Sequence, residues 1–151
     1  MCLLAFAIGG VRADGLPPVS PRRDLGGILT SVSAASQSSA LPTSIDGLTF
    51  VMVSSTASTV NTAAPTSFDY HQDGEVLWGE YVGDTVRTGR FVGRFAGGTI
   101  TLRFAHELKA TGQVVLGEAE SVLERREDGL LYLIEAFEKN GVAHESICVQ
   151  A

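Results

Sequence analysis

Cysteine is scarce in this sequence, and its scarcity excludes several kinds of site. The 151 residues include only two cysteines, Cys2 and Cys148, near opposite ends of the chain. Neither belongs to a Cys-x-x-Cys pair, and no His-x-x-x-His or Glu-x-x-His spacing occurs, so the sequence contains no zinc motif. We therefore expect no disulfide, no metal and no cofactor, and we interpret Cys148 as a small buried residue of a β-strand.

Basic residues are few and scattered. There are 11 Lys plus Arg against 17 Asp plus Glu, which gives a formal net charge of −6. Binding to a phosphate backbone or to an anionic membrane depends on clustered cations. Long hydrophobic runs are missing too, because Arg12 and Asp14 interrupt the first apolar stretch well before the ~20 residues that cross a bilayer. The sequence therefore predicts neither a nucleic-acid partner nor a membrane partner.

Residues 1–43 lack any sustained hydrophobic period. They are rich in Ser, Gly, Ala and Pro, which indicates a flexible tail or a gene start assigned too far upstream. The apolar residues after Met1, with a small-residue cleavage site ending at Ala13, could instead form a signal peptide, but the positive n-region is missing. We expect a cytoplasmic protein, and secretion is the alternative if residues 1–13 are a signal peptide.

From residue 44 to residue 151, apolar runs alternate regularly with turn residues. The separating dipeptides favour tight hairpins; they are Asp73-Gly74, Gly83-Asp84, Gly97-Gly98, Asp128-Gly129 and Asn140-Gly141. The predicted strands are Leu48–Thr56, Ser67–Gln72, Glu75–Val82, Thr85–Phe95, Thr99–Glu107, Gln113–Arg125, Leu130–Lys139 and Ala143–Gln150. This spacing predicts one β domain over residues 44–151, with consecutive strands as antiparallel neighbours.

A meander of eight strands has two unpaired edges unless the sheet closes on itself. Because closure removes both edges, we predict an all-β fold: an eight-stranded up-and-down antiparallel β-barrel with an irregular N-terminal tail. Gly89 and Gly93 share one face of the fourth strand. Glycine in such a position permits strong coiling of the strand or close approach of a ligand to the backbone.

Several spaced residues give the barrel region a family resemblance. They are Gly47-x-x-Phe50, Phe68-x-Tyr70-x-Gln72-x-Gly74, Tyr81-x-Gly83, Gly89-x-x-x-Gly93, Leu102-Arg103-Phe104 with His106, Gly112, Gly117 and Glu135-x-Phe137. In these motifs the chain resembles a family of small bacterial proteins with an avidin-like or lipocalin-like (calycin) barrel, many of them labelled N-acetylglutamate synthase. The resemblance covers about the last two-thirds of the chain and implies the same kind of barrel.

The synthase label does not agree with the chemistry of the sequence. Acetyl transfer from acetyl-CoA normally needs backbone N–H groups at a helix N-terminus to bind the pyrophosphate. Residues 44–151 contain neither a Gly-rich phosphate loop nor a predicted helix. We therefore do not predict a synthase.

The chain also departs from the family pattern at Lys139, which stands where a second aromatic residue often follows the one matched by Phe137. This departure removes aromatic surface that a ligand could contact.

Aromatic residues give the strongest indication of ligand binding. An eight-stranded barrel can enclose at most one small ligand, and aromatic side chains are typical of such cavities. The predicted ligand-binding residues are Tyr70, Trp78, Tyr81, Phe104, His106, Tyr132 and Glu135. The alternative is an interior filled by side chains.

Two of these residues could also carry chemistry. His106 lies on the same strand face as Leu102 and Phe104, which continues from Ile100 towards a barrel mouth. Glu135 lies on the same strand face as Leu131 and Leu133, so it is expected to point inward, with Arg103 as a possible partner. No Gly-x-Ser-x-Gly elbow and no recognisable catalytic triad occurs. Our first hypothesis is therefore non-enzymatic binding of a small apolar or amphipathic molecule. A barrel isomerase or cyclase with His106 or Glu135 as acid or base is the alternative, and a structural interaction module is the third.

Overall fold

The computed structural model of the chain describes residues 40–139 and 141–151, so most of the predicted tail lies outside the described residues. The strands are β1 (Thr49–Ser55), β2 (Ser67–Asp73), β3 (Val76–Val82), β4 (Val86–Ala96), β5 (Thr99–Leu108), β6 (Val114–Arg125), β7 (Leu131–Lys139) and β8 (Val142–Gln150). Each pairs antiparallel with the next, and β8 pairs with β1, so the sheet closes into a barrel. The predicted eight-stranded antiparallel barrel is confirmed. Within the described residues, no helix has the length and apolar character to cross a membrane.

Tight hairpins set the register between neighbouring strands. Asp73 pairs with Val76 at the end of the β2–β3 ladder, and Gly74 between them has a φ of 58°, a left-handed conformation that favours glycine. At the β6–β7 turn, the Leu130 N–H donates to Asp128 Oδ1 at 2.9 Å, a side-chain bond typical of Asp in turns. Both turns lie where the Asp-Gly dipeptides predicted them.

Side chains alternate between the barrel interior and the outer surface along each strand. On β3, for example, Leu77 and Tyr81 are buried, whereas Trp78 and Glu80 are exposed. The buried apolar residues form one core cluster: Ile45, Phe50, Met52, Phe68, Tyr70, Leu77, Tyr81, Val86, Phe91, Phe95, Ile100, Leu102, Phe104, Ala119, Leu123, Leu131, Leu133 and Cys148. The core of this fold is therefore the interior of the barrel.

Interior glycines make room for aromatic rings from the neighbouring strand. The register pairs are Gly79 with Phe91, Gly89 with Tyr81, and Gly117 with Phe104. A Cβ atom on any of these glycines would collide with the ring of its partner. Gly89 therefore accommodates Tyr81, and the interpretation that it leaves the backbone open to a ligand is wrong.

The segment before β1 covers one end of the barrel. Ile45 is fully buried, and its N–H donates to Gln72 Oε1 at 2.8 Å. Gln72 Nε2 in turn donates to the carbonyl oxygens of Thr43 at 3.2 Å and Gly74 at 2.7 Å. These bonds tie the chain just before β1 to the end of β2, so packed structure extends a few residues ahead of the first strand.

Candidate functional site in the barrel interior

Polar side chains are rare inside the barrel, which makes the few that are there candidates for function. His106 and Glu135 are each only 3% exposed. The same inward alternation that buries Leu102 and Phe104 on β5 buries His106, and the alternation that buries Leu131 and Leu133 on β7 buries Glu135. Burying polar groups costs free energy unless they find partners, so their contacts define what the site can do.

Tyr81 and His106 form a hydrogen-bonded pair. Tyr81 Oη lies 2.8 Å from His106 Nδ1, and the ring of Phe104 stacks on the imidazole at 5.7 Å with an interplanar angle of 2°. The other ring nitrogen, His106 Nε2, is buried and has no hydrogen-bond partner among the described residues. The imidazole is thus held in a fixed orientation with one nitrogen available for a further hydrogen bond.

Burial keeps both members of this pair neutral. It raises the pKa of Tyr81 far above its ordinary value, and the charge of Glu135 raises it further. Burial also lowers the pKa of His106, because removal from water disfavours the charged imidazolium. When Tyr81 Oη–H donates to Nδ1, the ring proton lies on Nε2, and this nitrogen can donate to an acceptor.

Glu135 lies beside a small cavity in the same interior. The cavity is about 20 Å³, room for a single water molecule, and is lined by Phe68, Tyr70, Leu102, Ser121, Leu133, Glu135 and Cys148. Ser121 and Ser146 are the register partners of Glu135 on β6 and β8. This cavity therefore has room for little more than a water molecule, and it adjoins a carboxyl group.

Five of the predicted site residues share this interior. Tyr70, Tyr81, Phe104, His106 and Glu135 are all buried and point inward. Tyr70 lies 4.7 Å from Phe91, measured between ring centroids. The structure therefore brings these side chains together inside the barrel, although it does not test whether they bind a ligand.

Trp78 and Tyr132, predicted to line the interior, lie on the outer wall instead. Trp78 is 43% exposed and stacks on His71 at 5.8 Å. Tyr132 donates its hydroxyl to Asp128 Oδ2 at 2.6 Å, and the guanidinium of Arg126 lies 4.2 Å from its ring centroid. Positions an odd number apart face opposite sides of a strand, so neither residue can share the interior with its own strand's Tyr81 or Glu135.

Arg103, considered as a partner for Glu135, also points outward. Its guanidinium lies 3.0 Å from Glu118 in an ion pair that is largely exposed on both sides. Cavity-lining residues that the sequence interpretation omitted are Phe68, Leu102, Ser121, Leu133 and Cys148. Each of them lies an even number of positions from another inward-facing residue of its strand, and this spacing is the signal that could have identified them. In the described part of the chain, no group of three His, Cys, Asp or Glu side chains could hold a metal ion.

The match to known families begins where the barrel begins. A family model described as "Avidin-like protein" matches residues 43–151, the segment that contains all eight strands. The chain belongs to the avidin-like family. No curated protein and no solved structure matches it. The avidin-like resemblance expected from the spaced glycines and aromatics is therefore confirmed, and the largely apolar interior described above, with its few polar groups, is that of an avidin-like barrel.

Proposed function

We propose that this avidin-like barrel binds a small molecule, with an apolar body and one polar group, in its interior. Small-ligand binding is typical of the family, and the inner wall offers aromatic rings beside a few polar groups, the usual composition of a ligand pocket. The observation that carries the proposal is His106 Nε2, which is buried without a hydrogen-bond partner among the described residues. Buried polar atoms in native proteins are nearly always satisfied, and a ligand acceptor would satisfy this one.

The size of the cavity limits how such a ligand can bind. Space for one water is far below the 300–1,000 Å³ or so of typical ligand pockets. Binding therefore requires inner side chains to move, and the flexible walls of the cavity, Leu102 and Leu133, are the ones we expect to change rotamer. Glu135 faces the same space and would orient any donor group on the ligand.

A native mass spectrum of the purified protein tests this proposal. We expect a retained small molecule in the wild-type protein, and we expect Ser121→Leu to abolish it by filling the cavity. Val122→Leu is the matched control, because Val122 is the next residue on β6 and points outward. Retention unchanged in Ser121→Leu would place the ligand outside the barrel, and a protein without any retained mass would favour the structural interaction module.

Acid–base catalysis is the second candidate, favoured by the neutral, oriented His106 in contact with Tyr81. In the other tautomer, with Nδ1–H donating to Tyr81 Oη, His106 Nε2 carries no proton and can accept one from a substrate. A carboxyl group in the same interior can return a proton. Adding the retained compound back in excess separates the two functions. A pure binder leaves the compound unchanged, whereas an isomerase or cyclase converts it and loses that conversion in Glu135→Gln.

A further inference from the structure

The hydrogen-bonded ladder between β6 and β7 is shorter than the strands themselves. It ends at the Ser121–Glu135 pair, and both of these residues line the interior cavity. Beyond that pair, residues 114–120 of β6 pair with β5 alone, and residues 136–139 of β7 pair with β8 alone. In the part of the chain that the structure describes, these two stretches border a gap in the strand pairing, which we call the β6–β7 seam.

The inner face of β6 is more accessible along the seam than the inner face of its neighbour β5. Phe104 and His106, on the inner face of β5, are buried. Their register partners on β6, Gly117 and Val115, are partly exposed, although they share the inner face of that strand with the buried Ala119. Solvent therefore reaches the inner face of β6 beside His106, the residue whose Nε2 atom carries the binding proposal.

Phe137 is the large side chain on the β7 side of the seam. It lies two positions after Glu135 and so on the same inward face of the strand, but it is only partly buried. Its ring stacks on His144 of β8, with 5.5 Å between the ring centroids and an interplanar angle of 26°. Since β6 presents the small residues Gly117 and Ala119 on its inner face here, rotation of the Phe137 ring changes the width of the seam.

Chain segments cross both ends of the barrel. At the end where β1 starts, Ile45 is fully buried. The β1–β2 connection, residues 56–66, lies at the other end, and its Val60 packs against the core. Two hydrogen bonds anchor this connection to β8, because the Thr56 N–H donates to the Glu145 carbonyl oxygen at 2.9 Å and the Glu145 N–H donates to Thr56 Oγ1 at 2.8 Å. The route into the interior that disturbs the fewest of these contacts leads through the seam.

We propose that the β6–β7 seam is the entrance to the barrel interior and that Phe137 is the side chain that opens and closes it. Strands without ladder hydrogen bonds separate locally at a lower free energy than paired strands, and the seam begins at the cavity itself. A small apolar molecule that passes Phe137 reaches the space beside Glu135 while all the ladders of the barrel stay paired. The proposal rests on ligand binding in the interior and adds the route by which the ligand enters.

The thiol of Cys148 reports access to the interior without knowledge of the ligand. Cys148 is buried and lines the cavity, and Cys2 is the only other cysteine of the chain. In the full chain with Cys2→Ser, the small uncharged reagent methyl methanethiosulfonate can modify only Cys148, and mass spectrometry measures the rate. We expect this rate to be independent of urea at low concentrations, because local opening exposes little surface whereas global unfolding exposes much.

Removal of the Phe137 ring gives the decisive comparison. Phe137→Ala should accelerate the modification of Cys148 by roughly tenfold or more, since opening then no longer requires the ring to move. Ala119→Leu, which adds bulk on the opposite side of the seam, should slow it. Phe95→Ala is the matched control, because Phe95 is a buried, inward-facing phenylalanine of β4 away from the seam, and it should leave the rate at low urea unchanged. Circular dichroism checks that every variant is folded.

Three results would overturn the proposal. The first is a rate that rises with urea from the lowest concentrations, which would mean that Cys148 is reached only by global unfolding. The second is equal acceleration in Phe137→Ala and Phe95→Ala. The third is acceleration in Val60→Ala but not in Phe137→Ala, which would place the entrance at the β1–β2 connection. None of these results bears on whether a ligand is retained, which native mass spectra measure separately.

Discussion

Tyr81 Oη contacts His106 Nδ1 at 2.8 Å inside the barrel, and burial shifts the two pKa values in opposite directions. The tyrosine keeps its proton to higher pH than usual, and the histidine remains neutral to lower pH than usual. Since the unfolded chain titrates with ordinary values, each shift makes the free energy of unfolding depend on pH. We therefore expect the free energy of unfolding to be greatest between the titration of His106 on the acid side and that of Tyr81 on the alkaline side.

On the acid side, we expect stability to fall as the pH drops below about 6.5, the ordinary pKa of histidine. The folded His106 has the lower pKa, so below that point the unfolded chain binds more protons and unfolding is favoured. Thermal melts over a pH series measure the slope. His106→Phe should flatten this His106-dependent part of the slope, while His71→Gln, at an exposed histidine, should retain it.

On the alkaline side, the stability contributed by Tyr81 is complete below about pH 10, the ordinary pKa of tyrosine, and is lost above it. The folded Tyr81 has the higher pKa, so the unfolded chain releases its proton first and unfolding gains free energy as the pH rises. Tyr81→Phe should show a shallower alkaline decline in melting temperature. An identical decline in both proteins would contradict the burial of the hydroxyl.

The glycine–aromatic pairs predict an unusual sensitivity to a single methyl group. In Gly117→Ala the added Cβ would collide with the ring of Phe104, and overpacking of this kind costs about 1–3 kcal/mol of unfolding free energy. Phe104→Leu in the same chain should recover part of that loss. Glu118→Ala, at the next residue and facing outward, is the control and should change stability little by comparison.

Turn chemistry and side-chain alternation made most of the fold predictable. The Asp-Gly dipeptides located the β2–β3 and β6–β7 hairpins, and the alternation on β7 placed Glu135 inside. The same alternation directs Trp78 and Tyr132 outward, so their aromatic character alone does not indicate an interior position. The Tyr81–His106 contact could not be predicted, because it joins β3 to β5 across β4 and depends on how strongly the closed sheet curves.

The segment before β1 provides a test of where the folded domain begins. Ile45 is fully buried, whereas Leu41 is partly exposed. We expect Ile45→Ala to lower the unfolding free energy by about 2–5 kcal/mol, the usual cost of truncating a buried Ile. Leu41→Ala should have a much smaller effect in the same denaturant titration. Equal effects would mean that packed structure extends further towards the N-terminus.

The most direct test of the account is a crystal structure of the protein together with the small molecule that it retains. We predict electron density for that molecule inside the barrel, with an acceptor atom at hydrogen-bond distance from His106 Nε2 and with Leu102 or Leu133 in a changed rotamer. An interior that holds only a single water, with the molecule bound on the outer wall near Trp78, would contradict ligand binding inside the barrel.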